Sequence, residues 1–288
     1  MKFAPKFTHP THDSPRAVDP LLKWPGGKRW LAPWLADLVR DSLTGCYFEP
    51  FLGGGSLFFC LRPTAAVLSD VNRELIETYA AVRDSYLKVG ELLSRMPVSM
   101  EDYYAIRGSR PLGQVERAAR FLYLNRTAFG GMFRLNRAGG FNVPYGGGER
   151  TPEWLCRADV LARVADLLAS ADLRHADFEP IVSRAGPGDV VYCDPTYTVV
   201  HNNNGFIRYN EDNFSWDDQK RLALAARSAQ RRGAFVVVSN AYHRAVRQLY
   251  PWAECYVLKR RSLVARKPEH RRIVSEYLFV LDPEASGR

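Results

Sequence analysis

Short apolar runs alternate with segments of helical periodicity toward both ends of the chain. Runs of β-branched and aromatic residues predict strands over 46–51, 65–70, 189–194 and 233–240, and two more within 255–281. Apolar residues spaced by three and four predict helices over 27–43, 72–86 and 215–233, with Asn72 and Ser215 as N-caps. Strands that alternate with helices are typical of a mostly parallel sheet covered on both faces. The pattern therefore predicts an α/β fold.

The middle of the chain, residues 97–155, has weaker periodicity and is rich in arginine, glycine and aromatic residues. We interpret it as a mostly helical subdomain inserted into a larger domain built from 21–96 and 156–288. Residues 1–20 contain several prolines and no apolar segment of a signal peptide, which predicts a flexible N-terminal tail.

Composition changes the picture mainly through charge. The net charge is +9 and the isoelectric point is about 9.4, which favours a polyanionic partner such as nucleic acid. No apolar run is long enough to span a membrane, so we expect a cytoplasmic protein without a membrane partner. The five cysteines form no C-x-x-C pair, so we expect neither a disulfide framework nor a bound metal.

A glycine-rich turn follows the first predicted strand in "FEPFLGGGSLFF" (48–59). Glycines there let the backbone pass close to a ligand. The dinucleotide pattern G-x-G-x-x-G is absent, and a tight strand-to-helix turn is the alternative interpretation. Asp70 ends the next strand, where a carboxylate can accept hydrogen bonds from ribose hydroxyls. Together these features predict a cofactor that contains adenosine.

A second glycine pair lies in "KWPGGK" (23–28). Its spacing does not fit a nucleotide-triphosphate loop. Lys28 could pair with a carboxylate of a ligand, and Trp24 could pack against a flat ring. The alternative is a turn that leads into a helix, with solvated lysines.

The strand "VVYC" runs directly into "DPTY" (194–197), at the sheet edge where α/β proteins bind ligands. An amine on an aromatic ring is a poor nucleophile because its lone pair is delocalised. If the Asp194 carboxylate and the Pro195 carbonyl each accept one amine hydrogen, the lone pair becomes available to an electrophile. Proline fixes the direction of its carbonyl, and Tyr197 offers a stacking face. A strand-end turn with a solvated aspartate is the alternative.

Two further segments suit nucleic acid. Residues 124–150 interleave arginines with aromatic residues, and arginine can contact guanine edges bidentately. Residues 259–272 hold seven lysines or arginines in fourteen positions, a composition suited to phosphate contacts. A polar loop and a solvated charge run are the alternatives.

These motifs, "KWPGGK", "FEPFLGGGSLF", "LSDVN", "FLYLNRTAFGGMFRLN", "FNVPYG" and "VVYCDPTY", follow one another in an order that resembles the Dam-type DNA adenine methyltransferases of the alpha group. The likeness covers residues 21–281. It implies a Rossmann-like fold and S-adenosylmethionine as the methyl donor. The implied cofactor contacts are Trp24, Lys28, Phe51, Gly53, Gly55, Asp70 and Asp194, and the implied catalytic residues are Asp194, Pro195 and Tyr197.

The resemblance also implies roles in DNA recognition. Arg134 matches the arginine that reads a base, and Phe129 matches the aromatic residue that wedges into the duplex. The other implied DNA contacts are Lys23, Arg126, Met132, Asn136, Pro144, Arg260 and Arg261. Gly130 stands where relatives often have a polar residue, and Thr196 stands where they have a second proline.

We therefore predict an enzyme that methylates the exocyclic amine of an adenine flipped out of double-stranded DNA, with GATC as the leading target and a monomer as the working form. Residues 198–214, which have no clear period, would cover the flipped base. Packing around the strand end should hold the turn despite Thr196. Two alternatives stay open: a methyltransferase-fold protein that binds DNA without catalysis, and a methyltransferase that acts on RNA or protein glutamine.

Overall fold

The structure, a computed structural model, describes residues 2–3, 21–136, 139–148, 151–198, 214–261 and 273–284. Its strands are β1 (Lys2–Phe3), β2 (Tyr47–Glu49), β3 (Ala66–Asp70), β4 (Ala171–His175), β5 (Val190–Cys193), β6 (Phe235–Ala241), β7 (Glu254–Arg261) and β8 (Ile273–Leu281). Its helices are α1 (Ala32–Arg40), α2 (Ser56–Leu61), α3 (Arg73–Arg95), α4 (Met100–Gly108), α5 (Gln114–Thr127), α6 (Pro152–Cys156), α7 (Ala158–Leu168), α8 (Phe178–Val182), α9 (Trp216–Arg231) and α10 (Arg244–Leu249).

The chain divides into two compact units. The first unit comprises Met1–Thr8, Val39–Phe51 and Ala176–Arg288. The second unit comprises His9–Leu38 and Leu52–His175.

The first unit contains a sheet with the strand order β1-β7-β8-β6-β5-β2. Strands β2, β5 and β6 run parallel, whereas β8 runs antiparallel to both β6 and β7. Every residue of β5 and β6 is buried, as expected for central strands rich in valine. Helix α9 packs against β6 and begins with a capping box formed by Ser215 and Asp218.

The second unit is mainly helical, with β3 and β4 as a parallel pair. Helix α3 packs against α5, α6 and α7. The Asn72 side chain accepts a hydrogen bond from Leu75 N and so caps α3. Ser85 has non-helical backbone angles (φ −152°, ψ 37°), which kink the helix.

The predicted α/β fold is confirmed, and so are the N-caps at Asn72 and Ser215. Helix α3 is longer than predicted, because the buried residues Val89 and Leu93 continue its apolar face beyond the kink at Ser85. The predicted insert, 97–155, contains α4, α5 and α6 and falls within the second unit. Its boundaries as a separate subdomain stay a prediction.

Several expectations fall outside the described residues: the flexibility of the tail, most of the predicted cover over 198–214, and the basic connection between β7 and β8. Arg260 and Arg261 lie in β7 by their backbone, but their side chains are not described. Within the described ranges, no helix is long and apolar enough to cross a membrane.

Candidate functional site

The glycine turn is tied to the end of β3 by the Asp70 carboxylate. Gly53 N donates to Asp70 Oδ2 (3.0 Å), and Asn72 N donates to Asp70 Oδ1 (2.9 Å). The Tyr79 hydroxyl donates to the Gly53 carbonyl (3.1 Å) from the buried face of α3. Burial raises the pKa of the Asp70 carboxyl, and the two backbone N–H groups act in the opposite direction. Each carboxylate oxygen keeps acceptor capacity beyond its one N–H bond.

The close approach of Trp24 explains why residue 53 is a glycine. Gly53 has a φ of +46°, and a Cβ at this position would lie 2.7 Å from Trp24 Cδ1. The Trp24 ring also stacks with Phe133 (centroids 5.6 Å apart) and Phe121 (6.5 Å). Because Phe121 and Phe133 are only 5.3 Å apart, both lie on the same side of the indole ring rather than enclosing it. The position of the Trp24 ring therefore requires a glycine at residue 53.

Lys28 lies in the turn before α1. It is only 4% exposed, and its ammonium donates to the Gly26 carbonyl (3.1 Å). Its carbonyl accepts hydrogen bonds from Leu31 N and Ala32 N, so Lys28 precedes α1 rather than lying in it. The Lys28 ammonium is therefore shielded from bulk solvent.

In the first unit, the predicted catalytic tetrapeptide begins directly after β5. Asp194 is half-buried, and its Oδ1 accepts a hydrogen bond of 2.6 Å from the Ser239 hydroxyl. Pro195 is buried, Thr196 is exposed and Tyr197 is half-buried. Burial, together with the charge of the adjacent Asp194, raises the pKa of the Cys193 thiol far above its usual range. Cys193 is therefore a neutral core residue beneath the site.

Side chains from β6 and α9 hold the backbone after the tetrapeptide. Gln219 Nε2 donates to the Thr198 hydroxyl (3.0 Å) and, at 3.5 Å, to the Thr196 carbonyl. Asn240 Nδ2 in turn donates to Gln219 Oε1 (2.8 Å). The Thr198 hydroxyl donates to the Phe214 carbonyl (3.1 Å). The turn around Thr196 is thus fixed by a buried amide network.

Phe51, the last residue of its segment in the first unit, joins an aromatic cluster. Its ring stacks on Phe178 (5.4 Å between centroids) and meets Phe214 edge-on (5.5 Å). The Arg221 guanidinium lies over the Phe178 ring, 4.9 Å from its centroid. Phe178 and Phe214 are buried, so the cluster fixes the half-buried ring of Phe51 against the core of the first unit.

Asn125 joins the predicted base-contacting lysine to the insert. The Lys23 backbone N donates to Asn125 Oδ1 (2.9 Å), and Asn125 Nδ2 donates to the carbonyls of Lys23 (2.7 Å) and Gly131 (3.3 Å). Gly131 has a φ of +64°, and a Cβ there would lie 2.6 Å from Lys23 Cδ. The exposed Lys23 side chain therefore rests on the turn that follows Phe129.

Residues 128–145 form a hairpin-like loop with bridges at Ala128–Tyr145 and Leu135–Phe141. Phe129 N donates to the Pro144 carbonyl (2.9 Å). The Phe129 ring is 40% exposed, and Pro144 is exposed beside it. The loop thus brings together two exposed residues that lie 15 positions apart in the sequence.

Asn142 orients Arg134 within this loop. Arg134 Nε donates to Asn142 Oδ1 (2.8 Å), and Asn142 N donates to the Arg134 carbonyl (3.0 Å). The Nε bond leaves the Nη edge of the guanidinium for a bidentate contact. Met132 is half-buried, and the exposed Asn136 uses its Oδ1 to accept from Gly140 N (2.9 Å).

Comparison with known proteins identifies the family. Residues 24–262 match the D12 class N6 adenine-specific DNA methyltransferases. The chain belongs to this family.

The names of individual relatives of this methyltransferase agree with the family assignment. It is 36% identical over 241 residues to the Type II methyltransferase M1.LlaDCHI of Lactococcus lactis subsp. cremoris, covering 80% of this chain and 84% of the relative. It is 32% identical to the DNA adenine methylase of Escherichia coli K12 (91% and 95% covered) and to the Type II methyltransferase M.MjaIII of Methanocaldococcus jannaschii (78% and 85%). The predicted family, the enzyme class and DNA as the substrate class are therefore confirmed. The observed α/β fold agrees with the Rossmann-like methyltransferase fold that the resemblance implied.

One predicted DNA contact of the methyltransferase needs correction in this conformation. Arg126 is 4% exposed, because it lies on the buried face of α5. Its Nη2 donates to the Leu21 carbonyl (3.4 Å), whereas Nε and Nη1 have no hydrogen-bond partner within the described ranges. Burial lowers the pKa of Arg126 to about 10. The structure thus does not bring Arg126 to the surface formed by Lys23, Phe129 and Pro144.

The structure adds methyltransferase residues that the sequence interpretation missed. Asn125, Asn142 and Ser239 each bond to a predicted site residue, namely Lys23, Arg134 and Asp194 in that order. Gln219 and Asn240 instead hold the backbone at and after the tetrapeptide. The "SN" pair (239–240) at the end of an apolar strand was a usable signal, since polar residues at such ends often reach a site. Across the residues that the structure describes, no cluster of three or more His, Cys, Asp or Glu could hold a metal ion.

Proposed function

We propose that this methyltransferase modifies the exocyclic amine of an adenine rotated out of double-stranded DNA, with GATC as the leading target. The observation that supports this most directly is the arrangement at Asp194. Its Oδ1 is engaged by Ser239, and Pro195 follows it at the end of a rigid, fully buried strand. In the proposed complex, a carboxylate oxygen of Asp194 and the Pro195 carbonyl would accept the two hydrogens of the amine, since each such oxygen has two lone pairs.

The chain's own residues would prepare the amine for transfer. Asp194 and Pro195 accept its hydrogens, so that the nitrogen lone pair is no longer delocalised into the ring. Tyr197, half-buried, stacks on the flipped base. S-adenosylmethionine, when bound, supplies the electrophilic methyl group. Asp194 then holds the proton that the nitrogen releases, and positioning supplies most of the rate.

The residues of the cofactor site fit adenosine. In the second unit, Asp70 keeps acceptor capacity for ribose hydroxyls, and the Gly53–Gly55 backbone gives close access beside Trp24. Lys28 would pair with the carboxylate of the methionine portion. The family resemblance also implies Phe51 and Asp194 as cofactor contacts.

The hairpin-like loop would read the DNA. Arg134 would contact a guanine through its Nη edge, and Phe129 would enter the stack as the adenine leaves. Lys23, Met132 and Pro144 would contact neighbouring bases, and Asn136, Arg260 and Arg261 would contact phosphates. We propose that one protomer performs the whole reaction on DNA.

The test is methyl transfer from labelled S-adenosylmethionine to matched substrates: a GATC duplex, a duplex with those four bases scrambled, the GATC single strand, and the same sequence as RNA. We expect transfer to the GATC duplex alone. Transfer to the scrambled duplex would refute GATC as the target sequence but not adenine methylation as the reaction. Transfer to RNA alone would refute DNA as the substrate.

A second candidate is a DNA-binding protein that no longer catalyses. The observation that favours it is the exposed Thr196 within the tetrapeptide, where relatives have proline. The same assay decides, because this candidate requires cofactor and DNA binding without transfer to any substrate.

A further inference from the structure

A chain of three side chains reaches from the core of the first unit to the tetrapeptide. Ser239 on β6 is fully buried, and its hydroxyl donates to Asp194 Oδ1 at 2.6 Å. Tyr192 lies on β5 and is 2% exposed, and its hydroxyl is 3.2 Å from Ser239 Oγ. Ser239 and Tyr192 belong to adjacent strands, which fixes the spacing between their side chains.

The direction of these hydrogen bonds follows from counting protons. An ionised carboxylate can only accept, so Ser239 must give its single hydroxyl proton to Asp194. Ser239 Oγ can then only accept from Tyr192, whose hydroxyl is the donor. The chain therefore runs from Tyr192 through Ser239 to Oδ1 of Asp194.

We propose that Ser239 and Tyr192 are positioning residues for methyl transfer. The hydrogen bond to Oδ1 fixes the rotation of the carboxylate, so that the group would meet the adenine amine in one orientation. A carboxylate free to rotate would present either oxygen, at variable angles. This inference rests on the proposed role of Asp194 as the amine acceptor.

The next residue of β6 supports the other side of the tetrapeptide. Successive residues of a strand point to opposite faces, so Asn240 points away from Asp194 and donates to Gln219. Gln219 holds the Thr196 carbonyl and the Thr198 hydroxyl. In this chain the network replaces the restraint that a second proline would impose on Pro195. The Ser239–Asn240 pair thus fixes both the carboxylate and the backbone of the catalytic motif.

The experiment is single-turnover methyl transfer to a GATC duplex by Ser239→Ala and Tyr192→Phe, with dissociation constants for DNA and cofactor measured in parallel. We expect Ser239→Ala to lower the transfer rate constant by up to about 100-fold, as for a displaced catalytic group. Tyr192→Phe, which removes one oxygen atom, should lower it by about 2- to 12-fold, the value of one hydrogen bond. Both dissociation constants should change less than twofold.

A double variant separates positioning from general loosening of the core. Because Tyr192 acts through the Ser239 hydroxyl, Tyr192→Phe should cause no further loss in the Ser239→Ala background. Thr78→Val is the matched control, since it removes a buried hydroxyl that bonds only within α3, to the Glu74 carbonyl. It should leave the rate constant unchanged.

Three outcomes would overturn the inference: a wild-type rate in Ser239→Ala, a loss that appears mainly as weaker DNA or cofactor binding, or additive losses in the double variant. The variant Asp194→Asn distinguishes failure of the positioning inference from failure of the proposed function. If Asp194→Asn transfers methyl groups at the wild-type rate, the proposed role of Asp194 is wrong. If it is inactive while Ser239→Ala is normal, only the positioning role is wrong.

Discussion

The indole ring of Trp24 stacks on the phenyl ring of Phe133, with centroids 5.6 Å apart and planes 23° from parallel. Trp24 also lies so close to Gly53 that no side chain fits between them. Phe133 immediately precedes Arg134, the predicted base reader. One side chain of the second unit therefore contacts both the proposed cofactor turn and the proposed recognition loop.

Trp24→Leu should weaken cofactor binding and reduce discrimination between GATC and scrambled duplexes. An aromatic pair contributes about 0.5–1.5 kcal/mol beyond its buried area, so we expect a loss of about 2- to 12-fold in each. Titration calorimetry with cofactor and competition binding with DNA would measure the two effects. Trp154→Leu is the control for cofactor affinity. The Trp154 ring contacts the Lys23 ammonium (5.9 Å from the ring centroid) rather than the glycine turn, so its loss should leave cofactor affinity unchanged.

Gly53→Ala should abolish cofactor binding, because its Cβ would displace the Trp24 ring. Gly147→Ala is a matched control: Gly147 has a φ of +69°, but a Cβ there would meet no atom within 4 Å. Both variants should lose stability from the left-handed backbone, about 1 kcal/mol. Thermal unfolding and calorimetry should show that only Gly53→Ala also loses the cofactor. Normal cofactor binding by Gly53→Ala would place the cofactor elsewhere.

Arg134→Ala should relax sequence choice at one base pair by about 1–3 kcal/mol. Asn142→Leu should have a smaller effect at the same base pair, because it frees Arg134 without removing it. Methylation rates on duplexes with each single substitution in GATC would measure this. A uniform loss on all sequences would identify Arg134 as a phosphate contact instead.

The wild-type protein should be active despite Thr196, and Thr196→Pro should change its rate little. Gln219→Leu should slow methyl transfer in the wild-type background. The same change should slow it less in the Thr196→Pro background, because proline at 196 restores the restraint on the Pro195 backbone. Single-turnover rates of the four proteins test this. An inactive wild type that Thr196→Pro revives would contradict the prediction.

Arg126→Met should stabilise the protein at pH 7. Burial lowers the pKa of Arg126 to about 10, so the folded state disfavours the charged form. The penalty is fully present at neutral pH and falls as pH rises through this pKa, where the folded state binds fewer protons than the unfolded state. We expect a gain of about 1–3 kcal/mol in the free energy of unfolding, the usual cost of unsatisfied buried groups.

Urea unfolding at pH 7 would measure the change, and DNA affinity would be measured on the same variant. A loss of stability would show that packing around the guanidinium outweighs its desolvation. A large loss of DNA affinity would show that Arg126 leaves its buried position to contact phosphate.

Much of the architecture was predictable because it depends on neighbours along the chain. The valine-rich runs of β5 and β6 and the caps Asn72 and Ser215 are local patterns. The C-terminal end of α3 was less predictable, since Ser85 breaks the helical angles while tertiary packing continues the helix to Arg95.

The sequence by itself determined the fold class and the family, because apolar periodicity and six ordered motifs are readable without knowing which residues meet. Only the tertiary structure decided how the sites are held. Asn125 joins Lys23 across 102 positions, and Ser239 reaches Asp194 across 45. It also decided that Arg126 is buried, although its sequence context suits a DNA contact. Such pairings and burials depend on the packing of distant segments, and no local pattern encodes the partner of a lone polar side chain.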